Sequence, residues 1–225
     1  MNYLNQMKTV LLFRNSLILL FSALLFSGCA STYYNAMEKV GIHKRDILVD
    51  RVEDARDAQQ ESKQEFKSAL EKFSHVLNFD GGDLEDKYNE LNDKYESSEE
   101  AAAEVSDRIS DIEDVAEALF SEWSDELKQY SNANLRRSSE KKLRNTKTQY
   151  KKLISSMKKA ESKMQPVLAA FKDQVLFMKH NLNAKAISSL QPELTKIEGN
   201  VARLIKEMEK SISEADKFIQ SMNAE

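Results

Sequence analysis

The chain of 225 residues has few of the residues that interrupt helices, form disulfides or bind metals. It contains 5 glycines, 2 prolines, 1 cysteine and 3 histidines. So few helix breakers leave room for little besides long helices, and a single cysteine excludes an internal disulfide. The histidines are too scattered to suggest a metal site. We therefore expect neither a metal nor a cofactor.

Sequence motifs of common enzymes are missing as well. The chain has no GxSxG, no phosphate-binding GxxxxGKS or GxxxxGKT, no GxGxxG and no HExxH. Its many carboxylates are spread along helical segments rather than paired, which is typical of a solvated surface and not of acid-base catalysis. We therefore expect that the protein is not an enzyme.

The N-terminal segment has the pattern of a secretory signal. Two basic residues precede an apolar run over residues 17–26, which is shorter than the roughly 20 apolar residues that span a bilayer. The string LFSGCA at residues 25–30 looks like a bacterial lipobox, although Phe26 stands where leucine is usual. Lipobox processing would cut before Cys29 and acylate it. The alternatives are an ordinary signal peptide cut nearby and an uncleaved anchor.

The lipobox also predicts domain organisation and location. We expect a lipoprotein signal peptide over residues 1–28, a lipidated tether over 29–37 and a helical coiled-coil bundle over 38–223. Ala30 rather than Asp follows Cys29, a pattern that resembles Gram-negative cargo sent to the outer membrane. The protein is thus predicted to be held in the outer membrane by lipid on Cys29 and to face the periplasm. Export, together with a net negative charge, argues against nucleic-acid binding.

Four long segments carry apolar residues at alternating spacings of three and four. This repeat is the signature of left-handed coiled-coil packing, because it keeps one narrow stripe facing a partner helix. Segment by segment, the stripe positions are Leu48, Val52, Ala55, Gln59, Ser62, Phe66, Ala69, Phe73 and Val76; Leu84, Tyr88, Leu91, Tyr95, Ser98, Ala102, Val105, Ile109, Ile112, Ala116, Leu119 and Trp123; Leu143, Thr146, Tyr150, Leu153, Met157, Ala160, Met164, Val167, Phe171, Gln174 and Met178; and Ile187, Leu190, Leu194, Ile197, Val201, Leu204, Met208, Ser211, Ala215, Phe218 and Met222.

The breaks between these segments are short. They fall at residues 78–82, 131–134 and 180–183, and short turns between helices of similar length predict antiparallel neighbours. The expected fold is all-α, an elongated antiparallel bundle of about four long helices, about 60 Å long. Pro166 is expected to kink its helix without ending it, whereas Pro192 marks either a local break or a helix start.

Charge differs sharply between the second and third segments. Residues 83–130 contain 17 acidic and four basic residues, and residues 135–180 contain 13 basic and three acidic residues. In an antiparallel hairpin, Lys151 and Lys152 would approach Asp114 and Glu113, and Lys158 would approach Asp107. The alternative is that the basic segment binds a polyanion.

A cluster of cations at the start of the third segment is the candidate polyanion contact. If the first helix leads away from the membrane and the second returns, this cluster lies at the membrane end, where it would add an electrostatic attachment to the lipid one. Its members are Arg136, Arg137, Lys141, Lys142 and Arg144.

Several stretches resemble one protein family. YYNAMEKVGIHKRDILVDRVEDARDAQQE at residues 33–61, FKSALEKF at 66–73 and KHNLNAKAI at 179–187 are similar to an uncharacterised family of Gram-negative lipoproteins, the domain of unknown function DUF 2959. The resemblance implies an exported, lipid-anchored helical protein. It implies no activity and no catalytic residues.

Two functions follow from these patterns. The first is a lipid-anchored periplasmic structural or interaction protein, a spacer, scaffold or adaptor of the cell envelope with an envelope protein as partner. The alternative is a module that binds membrane lipid or a cell-wall polyanion through the basic third helix. Self-association is left open, because Gln59, Ser62 and Ser98 make the stripe partly polar.

Overall fold

The structure, a computed structural model, describes Tyr34, Met37 and residues 41–77, 83–181 and 183–224. Within these residues it contains four long helices and no strand. They are α1 (Lys44–Leu77), α2 (Leu84–Glu126), α3 (Ala133–His180) and α4 (Gln191–Asn223). A 3-10 helix, Leu127–Gln129, extends α2, and a short helix, Ala184–Ser189, precedes α4. At about 1.5 Å per residue, these helices make a bundle about 50 to 70 Å long. The predicted all-α bundle of four long helices is confirmed.

The helix starts follow the local sequence. The Asp83 side chain caps α2 by accepting a hydrogen bond of 2.8 Å from the Glu85 N–H. The Asn132 side chain caps α3 by accepting bonds from the Asn134 and Leu135 N–H groups. Such caps satisfy N–H groups that the helix itself leaves unpaired. The predicted reversal at residues 78–82 lies outside the described residues.

The two prolines have different positions in their helices. α3 continues through Pro166, as the unbroken apolar stripe predicts. Pro192 lies in the first turn of α4, where proline is tolerated because the N–H it lacks would have no partner inside the helix. The sequence left two explanations of Pro192 open, and the structure selects the helix start.

The helices form a ring in which each contacts two neighbours. α1 and α3 each pack against both α2 and α4, so α1 and α3 stand diagonally across the bundle. Ion pairs Lys44–Glu122 and Lys72–Glu90 show that α1 and α2 are antiparallel. Arg56–Asp216 and Lys63–Glu209 show the same for α1 and α4. The hydrogen bonds Ser106–Glu161 and Trp123–Ser139 show the same for α2 and α3, so the order is up-down-up-down.

The apolar stripes fill the centre of the ring. Phe66, Phe73 and Phe171 are among the largest fully buried side chains, and fully burying each such side chain stabilises the fold by about 1.5 to 3 kcal/mol. Stripe positions without apolar side chains are buried too, including Gln59, Ser62 and Ser211. The core is therefore continuous along the bundle but contains polar side chains at several levels.

The chain reverses direction just before α1. Gly41 has a φ of 89°, a conformation that favours glycine, and the Ile42 N–H donates to the Met37 carbonyl over 3.1 Å. Met37 consequently lies beside Ile47 and Asp54 of α1. Tyr34 is buried and belongs to the apolar core. Both described residues of the predicted tether are thus packed against the bundle.

Candidate functional site

Cys29, the predicted site of lipid attachment, lies outside the described residues, so its acylation stays a prediction. The nearest described residue is Tyr34, which is 7% exposed. Five residues of fully extended chain span about 17 Å. A lipid on Cys29 would therefore lie within about 17 Å of Tyr34, which belongs to the apolar core of the bundle.

The five cations predicted as a polyanion contact lie on the first turns of α3, and all are exposed. Arg136 Nε lies 3.6 Å from Glu140 Oε1 on the same helix, and Arg137 donates to the Asn134 side-chain oxygen. The other three, Lys141, Lys142 and Arg144, have no carboxylate oxygen within 4.0 Å among the described residues. The positive end of the helix dipole opposes cations at this place. The cluster therefore offers solvated positive charge, held only by contacts within α3.

The predicted antiparallel hairpin of α2 and α3 forms, with Ser106 donating to Glu161 and Trp123 donating to Ser139, but the predicted ion pairs do not. Lys158 Nζ lies 2.5 Å from Glu113 Oε1, not beside Asp107. Lys151 and Lys152 make no ion pair with Glu113 or Asp114; in the described part of the chain, Lys158–Glu113 is the only α2–α3 ion pair. One close pair does not neutralise the basic helix.

Helix geometry explains the error. Consecutive residues of an α-helix point about 100° apart, because 3.6 residues make one turn. Lys158 and Lys159 therefore face different neighbours. Lys159 Nζ lies 2.8 Å from Glu207 Oε1 of α4, and this hydrogen bond lowers the pKa of Glu207. The sequence argument matched the basic segment to α2 alone, whereas a helix in a ring has two neighbours.

Aromatic contacts add to the interface between α2 and α3. The rings of Phe120 and Tyr150 meet edge to face with centroids 5.4 Å apart, and Lys147 Nζ lies 5.4 Å from the Phe120 centroid. Burial raises the pKa of Tyr150 to about 12, with a further contribution from the negative charges of Glu113 and Glu117. Burial, with a smaller contribution from the acidic helix, therefore keeps this phenol neutral above its usual pKa.

A groove between α3 and α4 is a site that the sequence argument missed. Its volume is about 520 Å³, and its lining includes Lys151, Lys152, Lys159 and Lys210 together with Ser156. We call this surface the lysine groove. Three of these lysines occur in the basic run of α3, but Lys210 is distant in sequence. Only the packing of α4 against α3 brings it to the other three.

Two further properties apply to the described residues alone. None of the helices there combines the length and apolarity required to cross a bilayer. No group of three or more His, Cys, Asp or Glu residues there has an arrangement suited to a metal ion. The cations of α3 and the lysine groove are therefore the candidate binding features among these residues.

Comparison with known proteins identifies the family. Residues 33–222 match the family described as Protein of unknown function (DUF2959). No curated protein and no solved structure matches the chain. The matched range contains the stretches at residues 33–61, 66–73 and 179–187 that carried the resemblance, and it covers all four long helices. The chain belongs to the DUF2959 family of proteins of unknown function.

Proposed function

We propose that the protein is a lipid-anchored structural or interaction protein of the periplasm, acting as a spacer, scaffold or adaptor of the cell envelope. The observation that carries this proposal is the lipobox-like string that ends at Cys29, the only cysteine of the chain. A lone exported thiol is prone to oxidation, and acylation removes it. The predicted location is the outer membrane, with the bundle on the periplasmic side.

The form of the bundle supports a role in spacing or contact. Helices of 33 to 48 residues give it a length of about 50 to 70 Å, and its surface is strongly charged. We propose that this surface binds an envelope protein and that the chain carries out no catalysis. Packing of Tyr34 on the bundle would make the connection to the lipid short and fix the bundle near the membrane.

A second candidate function is binding of membrane lipid or a cell-wall polyanion through α3. The observation that favours it is the excess of positive charge that α2 does not neutralise. Only Lys158 of α3 makes an ion pair with α2 among the described residues. Clustered cations without carboxylate partners create a positive potential that attracts polyanions.

Membrane fractionation combined with protease protection tests the main proposal. The full chain should sediment with the outer-membrane fraction and resist protease in intact cells. It should become sensitive to protease when the outer membrane is opened. Recovery in the cytosol, or cleavage by protease in intact cells, would contradict it.

Photo-crosslinking tests the interaction role. A photoreactive residue introduced at exposed Lys172 of α3 is expected to give one discrete adduct with an envelope protein. The same residue at exposed Asp57 of α1 serves as the matched position on the diagonal helix. Absence of a discrete adduct from exposed positions on all four helices would contradict a protein partner.

A further inference from the structure

We propose that the lysine groove is a binding site for a phosphate-bearing polyanion. The ammonium groups of Lys151, Lys152 and Lys210 would balance the charge of the ligand, and the Ser156 hydroxyl would donate a hydrogen bond to one of its oxygens. This site deepens the second candidate function, on which it rests. It differs from the cation cluster at the start of α3.

The ion pairs of the groove leave positive charge unused. Lys159 is paired with Glu207. Glu214, the carboxylate that lines the groove, lies 2.8 Å from Lys217. The remaining cations, Lys151, Lys152 and Lys210, have no carboxylate oxygen within 4.0 Å among the described residues. An anion entering the groove would therefore meet lysines that need not give up an existing partner.

Two of these lysines, Lys152 and Lys210, act together on Glu214. The pKa of Glu214 is lowered, first by its hydrogen bond from Lys217 and, against the opposing effect of burial, by the charges of Lys217, Lys152 and Lys210. Lys152 lies on α3 and Lys210 on α4. Cations from both walls thus act on one point of the groove, which is the arrangement that a multiply charged anion requires.

Ser156 distinguishes the groove from an ordinary lysine-rich surface. The residue is 8% exposed, and its Oγ is buried without a hydrogen-bond partner. In contrast, Thr148, which also lines the groove, donates to the Arg144 carbonyl over 2.9 Å. A buried polar group without a partner is unfavourable. Rotation of the Ser156 side chain toward the groove would bring this hydroxyl to an oxygen of a bound anion, which would supply the missing acceptor.

Phosphate is the anion that fits these groups. Lysine binds phosphate as a point charge, and a phosphate oxygen can accept from Ser156 while the remaining charge faces the lysines. A free or polymeric phosphate and the headgroup of a phospholipid share this chemistry, and the second arm of the test separates them. The groove lies between α3 and α4. Met37, a residue of the predicted tether, packs on α1, which stands diagonally across the bundle from α3.

The test uses the full chain reconstituted in neutral phosphatidylcholine nanodiscs and titrated with pyrophosphate by calorimetry. Lys151→Gln with Lys152→Gln should weaken binding more than about tenfold, because two uncompensated charges are lost. The matched control is Lys172→Gln with Lys179→Gln, two exposed lysines of α3 outside both the groove and the cation cluster, with an expected effect within about twofold through screened, long-range attraction. Ser156→Ala should weaken binding about tenfold while helicity stays unchanged.

A second arm separates the two sources of phosphate by adding vesicles of phosphatidylglycerol to the same nanodiscs. Capture of the vesicles that depends on Lys151 and Lys152 would support a headgroup ligand, and binding of pyrophosphate alone would support a free or polymeric one. Binding of neither probe overturns both the site and the second candidate function. Equal losses of affinity for pyrophosphate in the two double variants overturn the site alone, because they indicate attraction of the anion to α3 as a whole.

Discussion

Replacing Gln59 with leucine should stabilise the bundle. Gln59 has an exposed fraction of 0%, and neither its Nε2 nor its Oε1 atom has a hydrogen-bond partner. Ser62, one turn along α1, has a buried hydroxyl in the same condition. Gln59 therefore places an unpartnered amide at a core position where the stripe pattern predicts an apolar residue.

The magnitude follows from the cost of burying such an amide. A buried polar group left without a partner costs about 1 to 3 kcal/mol, and leucine at position 59 removes that cost at similar volume. For a domain of about 150 to 250 residues, 1 kcal/mol corresponds to about 2 to 4 °C in Tm. Gln59→Leu should therefore raise Tm by about 2 to 12 °C.

Thermal melting followed by circular dichroism measures this effect, with sedimentation to determine the oligomeric state. The neighbouring Gln60 is exposed, so Gln60→Leu is a matched control whose effect should stay within about 0.5 kcal/mol. A lower Tm for Gln59→Leu, with the control unchanged, would refute the reasoning. Gln59 would then have hydrogen-bond partners in solution, either a buried water or a second copy of the chain.

Three further predictions concern α3. Lys158→Glu should lower the free energy of unfolding by less than about 1 kcal/mol at low ionic strength, and melting in about 1 M salt should abolish the difference, because the Lys158–Glu113 pair is exposed and screened. The pKa of Tyr150 is about 12 in the folded chain and near 10 in the unfolded chain. The free energy of unfolding, measured by urea titration, should therefore fall between about pH 10 and pH 12. The same measurement on Tyr150→Phe should show a smaller fall. Pro166→Ala should raise Tm, since it restores a helical N–H, and an unchanged or lower Tm would contradict this.

The helices could be predicted because their signal is local. Every stripe residue from Leu91 to Leu119 is buried in α2, with Val115 and Phe120 added beside the stripe. The cap at Asp83 is equally local, since a side chain that caps a helix needs only the next few residues. The buried stripe and the helix cap both depend only on the spacing of residues within one segment, which can be read from the sequence.

Contacts between helices could not be predicted in the same way. The partner of Lys159 depends on how far α3 is rotated about its axis and on which helix stands on each side. Lys210 reaches the groove only through the packing of α4 on α3. The net charge of a segment carries no information about the rotation of its helix or about the order of the helices in the ring. A comparison of net charges therefore indicated α2 as the only partner of α3.

Metabolic labelling with a fatty-acid analogue tests the central claim, lipid attachment at Cys29, most directly. The parent chain and Cys29→Ser are expressed in parallel in a Gram-negative host and analysed for label and for sedimentation with membranes. The account predicts label and membrane association for the parent, and loss of label in Cys29→Ser. A Cys29→Ser chain that still carries the label and still fractionates with membranes would contradict it.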